Sequence, residues 1–355
     1  MSLILIKPHP GSPHASRRMD AILAHALEGR PVRTVSTAEE LTGLRGKKLL
    51  FAVSLDDVGL NLEYVRMLAR IRRERDLFTG CTAGLIVDAN SPLYTKSTAA
   101  ELTFAANRSG CAFLGRPLVE ATDSLSNFTI QAHNLGTDLM GAYRAAAREL
   151  VARLGVEVFP RRKKPNLLVL HATNHSKSNT MALWGEVKQR LGDAFDVTEI
   201  GLRNGTLSDC SGCPYTVCLH FGEQDSCFYG GVMRDEVYPA VRHCDGVVLL
   251  CPNYNDAISA NLTAFINRLT ALFRQTRFYD KAVFGLVVSG YSGSDIIARQ
   301  LIAGMNMNKS FYLPGNFAML ETANDPGQAL RAEGIGDRLD AFAQTIRETL
   351  LEGAF

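Results

Sequence analysis

Two segments of this 355-residue chain carry side chains whose types and spacing suit chemistry. The first, residues 173–180, is dense in hydroxyls and amides; it follows an apolar run at 166–170 and opens a helical pattern. Free backbone N–H groups, the helix dipole and Ser/Thr hydroxyls bind a phosphate at such a junction without Lys or Arg. The alternative is that these Ser and Thr residues only cap the helix.

The second segment holds four of the eight cysteines, separated by two, four and eight residues: Cys210, Cys213, Cys218 and Cys227. Four thiols are the number that a [4Fe-4S] cluster or a tetrahedral zinc ion requires. The wide gaps leave a third alternative open, in which the thiols are unligated and act in redox chemistry or in structure. A thioredoxin-type role is disfavoured because the first pair follows a polar loop and not a strand.

Apolar runs that alternate with helical patterns predict the elements that position these segments. In the second half, strands are predicted at 166–172, 196–201, 246–251, 282–288 and 317–321, and helices at 180–192, 235–244, 259–276 and 294–305. The continuously apolar runs are typical of buried parallel strands. Five parallel strands with crossover helices form a doubly wound α/β sheet.

The first half repeats this order. Ser12 aligns with Ser176 at an offset of 164, whereas Leu49 aligns with Leu249 at an offset of 200, which indicates duplication and an insertion near 205–235. The sequence therefore predicts two tandem flavodoxin-like domains with doubly wound parallel five-stranded sheets, at 1–159 and 165–355. A proline-bracketed basic linker, 160–165, separates them.

In an open sheet of flavodoxin order, a ligand binds beyond the carboxyl ends of strands one and three. After the third predicted strand come Pro252-Asn253-Tyr254 and then Ser259, Leu262, Phe265, Asn267 and Arg268. This pattern resembles the NAD(P)H-dependent FMN reductases and iron-sulfur flavoproteins, whose motif usually has Asp where this chain has Asn267. The loop 176–180 and the Gly/Tyr/Ser loop 289–293 extend the resemblance over most of 165–305.

The resemblance implies FMN as cofactor and NAD(P)H as co-substrate, with hydride passed to the flavin and on to a quinone, flavin, ferric or similar acceptor. The residues it implies for the FMN phosphate are Ser176, Ser178, Asn179 and Thr180. Those it implies for the isoalloxazine ring are Pro252, Asn253, Tyr254, Asn255, Ser289, Gly290, Tyr291, Ser292 and Gly293. No catalytic side chain is assigned, and Tyr254 and Tyr291 are either ring contacts or core aromatics. The iron-sulfur branch carries four cysteines in the same insertion, which makes Cys210, Cys213, Cys218 and Cys227 candidate cluster ligands.

The first domain matches the family less well. Pro10 and Pro13 each remove a donor N–H from its phosphate-loop counterpart, and Asp56 and Asp57 would repel an anionic cofactor. We expect no flavin in this domain. We expect it instead to take the place of the second subunit in the family's dimers, which makes the chain a covalent pseudo-dimer, itself free to dimerise further.

Composition sets limits on the partners. With 38 basic against 36 acidic residues the net charge is only +2, so nucleic acid is not an expected partner. Neither a signal peptide nor an apolar run of roughly 18 residues is found, and we expect a cytoplasmic protein without a membrane partner. The expected partner is a small-molecule electron acceptor or a redox protein. The alternatives are a non-enzymatic flavin carrier or redox sensor, and an interaction module without cofactor.

Overall fold

The computed structural model describes residues 3–10, 13–173, 178–224 and 226–353, with the side chains of 13–16 left aside. Ser176, predicted to bind the FMN phosphate, and its alignment partner Ser12 both lie outside these residues. The chain divides into two compact units, Met1–Val158 and Phe159–Phe355.

The first unit is a five-stranded parallel sheet with helices packed on it. Its strands are β1 (Leu3–Ile6), β2 (Val32–Val35), β3 (Lys48–Leu55), β4 (Thr82–Ala89) and β5 (Ala112–Ala121), in the order β2-β1-β3-β4-β5. Its α-helices are α1 (Pro13–Ala26), α2 (Leu62–Arg73), α3 (Thr95–Arg108), α4 (Thr129–Leu135) and α5 (Leu139–Val156).

The second unit repeats this topology. Its strands are β6 (Asn166–His171), β7 (Asp196–Gly201), β8 (Gly246–Pro252), β9 (Ala282–Ser289) and β10 (Ala318–Thr322), in the order β7-β6-β8-β9-β10. Its α-helices are α6 (Asn179–Leu191), α7 (Tyr215–Gly222), α8 (Tyr238–His243), α9 (Ala260–Arg268), α10 (Thr270–Phe273), α11 (Ser294–Leu301) and α12 (Ile335–Leu350). All the strand pairs are parallel, so the predicted fold class of two flavodoxin-like α/β sheets is confirmed.

Burial explains why these runs are strands. Every residue of β9 is buried, and in β8 all but the terminal Pro252 are buried, so both faces of the central strands pack under helices. Helix α6 contributes Leu183, Trp184 and Val187 to that core. The Trp184 indole N–H donates to Glu199 Oε1 at 3.0 Å, which satisfies the one polar atom of a side chain that is 1% exposed.

Two helices differ from their predicted bounds. The predicted helix 259–276 is divided into α9 and α10, and the helix predicted at 294–305 continues from α11 as a π-helical segment, Ile302–Asn308. A second π-helical segment, Met233–Val237, precedes α8. Among the helices of the described residues, none has the length and apolar character needed to cross a membrane.

Candidate functional site

A cavity of about 560 Å³ opens at the carboxyl edge of the second sheet, where the loops after β6, β8, β9 and β10 meet. Its size is typical of a cofactor site. None of its described lining residues is charged: they are Thr173, Ser178, Asn179, Thr180, Pro252, Asn253, Tyr254, Val288, Gly290, Ala323, Asn324 and Pro326.

The N-terminus of α6 forms one wall of this cavity. Ser178 is the N-cap residue; its Oγ accepts from the Met181 N–H at 3.4 Å and lies 2.8 Å from Thr180 Oγ1. Asn179 joins this end of the helix to the loop after β10, because its Nδ2 donates to the Asp325 carbonyl at 2.9 Å. Free N–H groups at the start of a 13-residue helix favour an anion, although no charged side chain lines the described wall.

A tight turn after β8 forms the opposite wall. Asn255 and Asp256 both have φ of +55°, and the Ala257 N–H donates to the Tyr254 carbonyl at 3.3 Å. Positive φ at both central residues is the pattern of a type I′ turn, which Asn and Asp tolerate better than most residues. The turn places Tyr254 at the cavity with 62% of its surface exposed.

Asn253 ties this turn to the loop after β9. Its Nδ2 lies 3.2 Å from Asp256 Oδ1, 3.1 Å from Ser289 Oγ and 3.1 Å from the Ser292 carbonyl. Gly293 has φ of +85°, and a Cβ there would overlap Asp256 Oδ1 and lie 2.9 Å from Asn253 Nδ2. The two loops therefore meet too closely for any side chain at position 293.

Tyr291 is not one of the residues that line the cavity, and it contacts the loop after β10. It is 83% exposed, and its hydroxyl accepts from Asn324 Nδ2 at 3.0 Å. Neither Tyr254 nor Tyr291 is thus a core aromatic, and the core alternative raised for them from sequence was wrong.

The structure brings most of the predicted site residues together. The predicted residues that line the cavity are Ser178, Asn179, Thr180, Pro252, Asn253, Tyr254 and Gly290; those that do not are Asn255, Ser289, Tyr291, Ser292 and Gly293. Sequence reasoning missed Val288, Ala323, Asn324 and Pro326. The turn-forming run Asn324-Asp325-Pro326-Gly327 after the fifth strand was an available signal.

His171 ends β6 beside this edge of the sheet. Burial lowers its pKa below the usual 6.5; nearby Glu199 opposes that shift and Arg203 adds to it. Burial therefore holds the His171 imidazole toward its neutral form.

The Asn267-Arg268 pair of the family-like motif anchors the cysteine insertion. Arg268 is 2% exposed; its Nη1 donates to the Ser208 carbonyl at 3.3 Å and its Nη2 to the Gly230 carbonyl at 2.8 Å. Asn267 Nδ2 donates to Asp209 Oδ1 at 3.0 Å. An Asp at position 267 would place its carboxylate next to that of Asp209, and the two like charges would repel. Asn267 can instead donate a hydrogen bond to Asp209.

The four cysteines of the insertion do not converge. All are free thiols, Cys210 exposed and Cys213, Cys218 and Cys227 half-buried. Within the described ranges, which include these four, no three His, Cys, Asp or Glu side chains are grouped as a metal ion requires. The thiols in this arrangement do not fit an iron-sulfur cluster or a zinc ion.

The corresponding edge of the first sheet is built differently. By strand order, α1, β4 and the segment after β5 are the counterparts of α6, β9 and the segment after β10. Here Arg18 joins all three: it pairs with Asp88, and it donates to the Ala89 carbonyl at 3.1 Å and to the Asp123 carbonyl at 2.9 Å. Tyr143 completes the buried group through a 3.1 Å bond to Asp88. An ion pair thus links the counterparts of three segments that line the cavity of the second domain.

Comparison with known families gives one match. Residues 165–325 match the sequence profile of the family described as NADPH-dependent FMN reductase. The resemblance expected for the second half of the chain is confirmed by this match. No curated protein matched the chain.

Solved structures similar to the chain include oxidoreductases. The apo form of an NADH:FMN oxidoreductase is 15% identical and covers 53% of this chain and 91% of its own, with a TM-score of 0.37. An NAD(P)H:quinone oxidoreductase from Methanothermobacter marburgensis is 12% identical over 52% and 98%, with a TM-score of 0.37. An FMN-dependent NADH-azoreductase from Bacillus anthracis, in complex with FMN, is 10% identical over 52% and 99%, with a TM-score of 0.35.

Proposed function

We propose that the second domain, which matches the NADPH-dependent FMN reductase family, binds FMN in the cavity at the carboxyl edge of its sheet and passes electrons from NAD(P)H to a small-molecule acceptor. A quinone, a flavin or a ferric compound is the acceptor class we propose. A cytoplasmic location and further dimerisation remain predictions.

The observation that carries the proposal is the make-up of the cavity. A helix N-terminus with Ser and Thr hydroxyls lies on one side, and the Pro252–Tyr254 segment lies on the other, in a volume of about 560 Å³. The first side suits a phosphate and the second suits a planar ring. Ser178, Asn179 and Thr180 would hold the phosphate; residues 252–255 and 289–293 would surround the ring.

When bound, FMN would supply the redox chemistry, accepting hydride from the nicotinamide and releasing electrons to the second substrate. The chain's own part is to bind and orient. Backbone N–H groups at α6 would hold the phosphate end, and the turn at 254–257 would hold the ring end. No described side chain of the cavity is a charged acid or base, so we assign no residue to proton transfer.

We also propose that each chain binds one FMN. In the first domain the ion pair of Arg18 and Asp88 links the counterparts of segments that line this cavity, and we infer that it closes that edge to a ligand. Separating Arg18 from Asp88 to admit a ligand would leave the buried Asp88 carboxylate without its partner, which is strongly unfavourable.

A [4Fe-4S] cluster on Cys210, Cys213, Cys218 and Cys227 remains a prediction from the sequence, and it would require these thiols to move together. The absorption spectrum of anaerobically purified protein tests it. A broad iron-sulfur band beside the flavin bands would support the cluster, and flavin bands alone would exclude it.

Turnover separates an enzyme from a flavin carrier. The FMN-loaded protein should oxidise NADH or NADPH continuously when a quinone or ferricyanide is supplied, and Thr180→Val should lower the FMN occupancy and the rate together. A protein that is reduced once by NAD(P)H and does not turn over would be a carrier, which would contradict the proposed activity.

A further inference from the structure

Gln300 is a helix residue that does not line the cavity and yet holds one of its walls. It lies on α11 and is half-buried. Its Oε1 accepts from the Ile258 N–H at 2.9 Å, and its Nε2 donates to the Asp256 carbonyl at 3.0 Å. One amide side chain thus contacts the backbone of the 254–258 segment twice, as a donor and as an acceptor.

That segment needs outside contacts to keep its shape. Asn255 and Asp256 both adopt left-handed backbone conformations, which are unfavourable for residues other than glycine. The bond internal to the turn, from the Ala257 N–H to the Tyr254 carbonyl, is 3.3 Å long. Asn253 secures the side of the turn nearest the strand, through its contacts with Ser289 and Ser292. Gln300 secures the far side.

We infer that Gln300 is a positioning residue, which fixes the turn so that Tyr254 is held at the cavity in a binding-competent place. This inference rests on the proposed FMN site and adds to it a residue that touches no ligand. Only a side chain with both a donor and an acceptor can make the two contacts, so the role belongs to the amide and not to the size of the side chain.

The test is a double-mutant cycle on FMN binding by the full-length apo-protein. We expect Gln300→Leu to weaken FMN binding roughly tenfold, the effect of losing two ordinary hydrogen bonds. Tyr254→Leu should also weaken it. Because Gln300 acts through Tyr254, the double variant should bind FMN about as well as Tyr254→Leu alone.

Two further variants sharpen the result. Gln344→Leu is the matched control: it removes an exposed amide on α12 that donates to Glu348 Oε1 at 2.8 Å, and it should bind FMN as the parent does. Gln300→Glu keeps the acceptor for Ile258 but loses the donor, so it should also weaken binding, and it serves if the leucine variant does not fold.

The outcomes are distinguishable. Unchanged FMN affinity in both Gln300 variants, or effects of Gln300→Leu and Tyr254→Leu that multiply in the double variant, would overturn the positioning role while leaving the FMN site intact. Failure of the parent protein to bind FMN would overturn the proposed function itself. The emission of bound FMN gives a second readout: it should change in Gln300→Leu as it does in Tyr254→Leu.

Discussion

Gly293 is the residue at which the cavity depends most directly on backbone conformation. We expect Gly293→Ala to destabilise the fold by about 1–2 kcal/mol, because an L-residue is strained at its φ of +85°. The added Cβ would also displace the side chains of Asp256 and Asn253, which it would contact too closely. FMN binding should therefore weaken by about tenfold. Urea unfolding and FMN titration measure the two effects.

The control for this substitution is Gly336→Ala on α12, where φ is not positive and no atom lies within 4 Å of an added Cβ. It should leave both quantities unchanged or raise stability slightly, since Ala favours helix. If Gly293→Ala behaves like this control, the two loops are not packed as described.

His171 predicts a pH dependence of stability. Burial lowers the folded-state pKa of His171 below the unfolded-state value of 6.5. At a pH between these two pKa values, the unfolded chain therefore binds a proton that the folded chain does not. Its contribution to stability is therefore present above pH 6.5 and is lost as the pH falls through the folded-state pKa. Unfolding midpoints in urea, measured from pH 8 to 5, should decline less steeply for His171→Asn than for the parent. Equal slopes would contradict the shift.

At the scale of elements, the strands and their order could be predicted because buried parallel strands appear as continuous apolar runs. The predicted strand at 196–201 has the observed bounds, and that at 282–288 is one residue short. The division of the helix at 259–276 could not be predicted, because α10 packs against α7 of the insertion, which is distant in sequence. The left-handed turn at Asn255 and Asp256 and the role of Gln300 depend on contacts between segments far apart in sequence.

The candidate site was predictable to a similar depth. Topology selected the loops after the first and third strands of the second sheet and the family resemblance added the loop after the fourth, and all three contribute to the lining of one cavity. The contribution of Asn324 and Pro326 was missed because the fifth strand lies at the edge of the sheet. Cysteine spacing alone could not show that the thiols stay apart, because it does not determine how helix α7, which carries Cys218, lies relative to the loops that carry the other three.

Arg268 carries the prediction for the insertion. We expect Arg268→Leu to lose its two charge-assisted bonds to backbone carbonyls, which should cost about 2–4 kcal/mol and loosen residues 205–235. Limited proteolysis of the full chain should then cut within that segment several times faster. Arg277→Leu is the control, because that exposed arginine donates to the Phe273 carbonyl and lies over the Phe273 ring, both in its own segment. Equal cutting rates in the parent and Arg268→Leu would show that the insertion is held by other contacts.

At the scale of the whole molecule, one topology has been used in two ways. Both units share one strand order, but Arg18, Asp88 and Tyr143 contact one another at the carboxyl edge of the first sheet, whereas the second sheet has a cavity at that edge. The origin of the two domains by duplication remains a prediction, supported by sequence matches in the same order at offsets of 164 and then 200.

The most direct test of this account is the number of FMN molecules that the apo-protein takes up at saturation, measured by equilibrium dialysis. The account predicts one FMN per chain, and predicts that Thr180→Val in the second domain reduces this uptake while Arg18→Met in the first domain does not raise it. Two FMN molecules per chain would contradict the assignment of the first domain, and no saturable uptake would contradict the flavin site altogether.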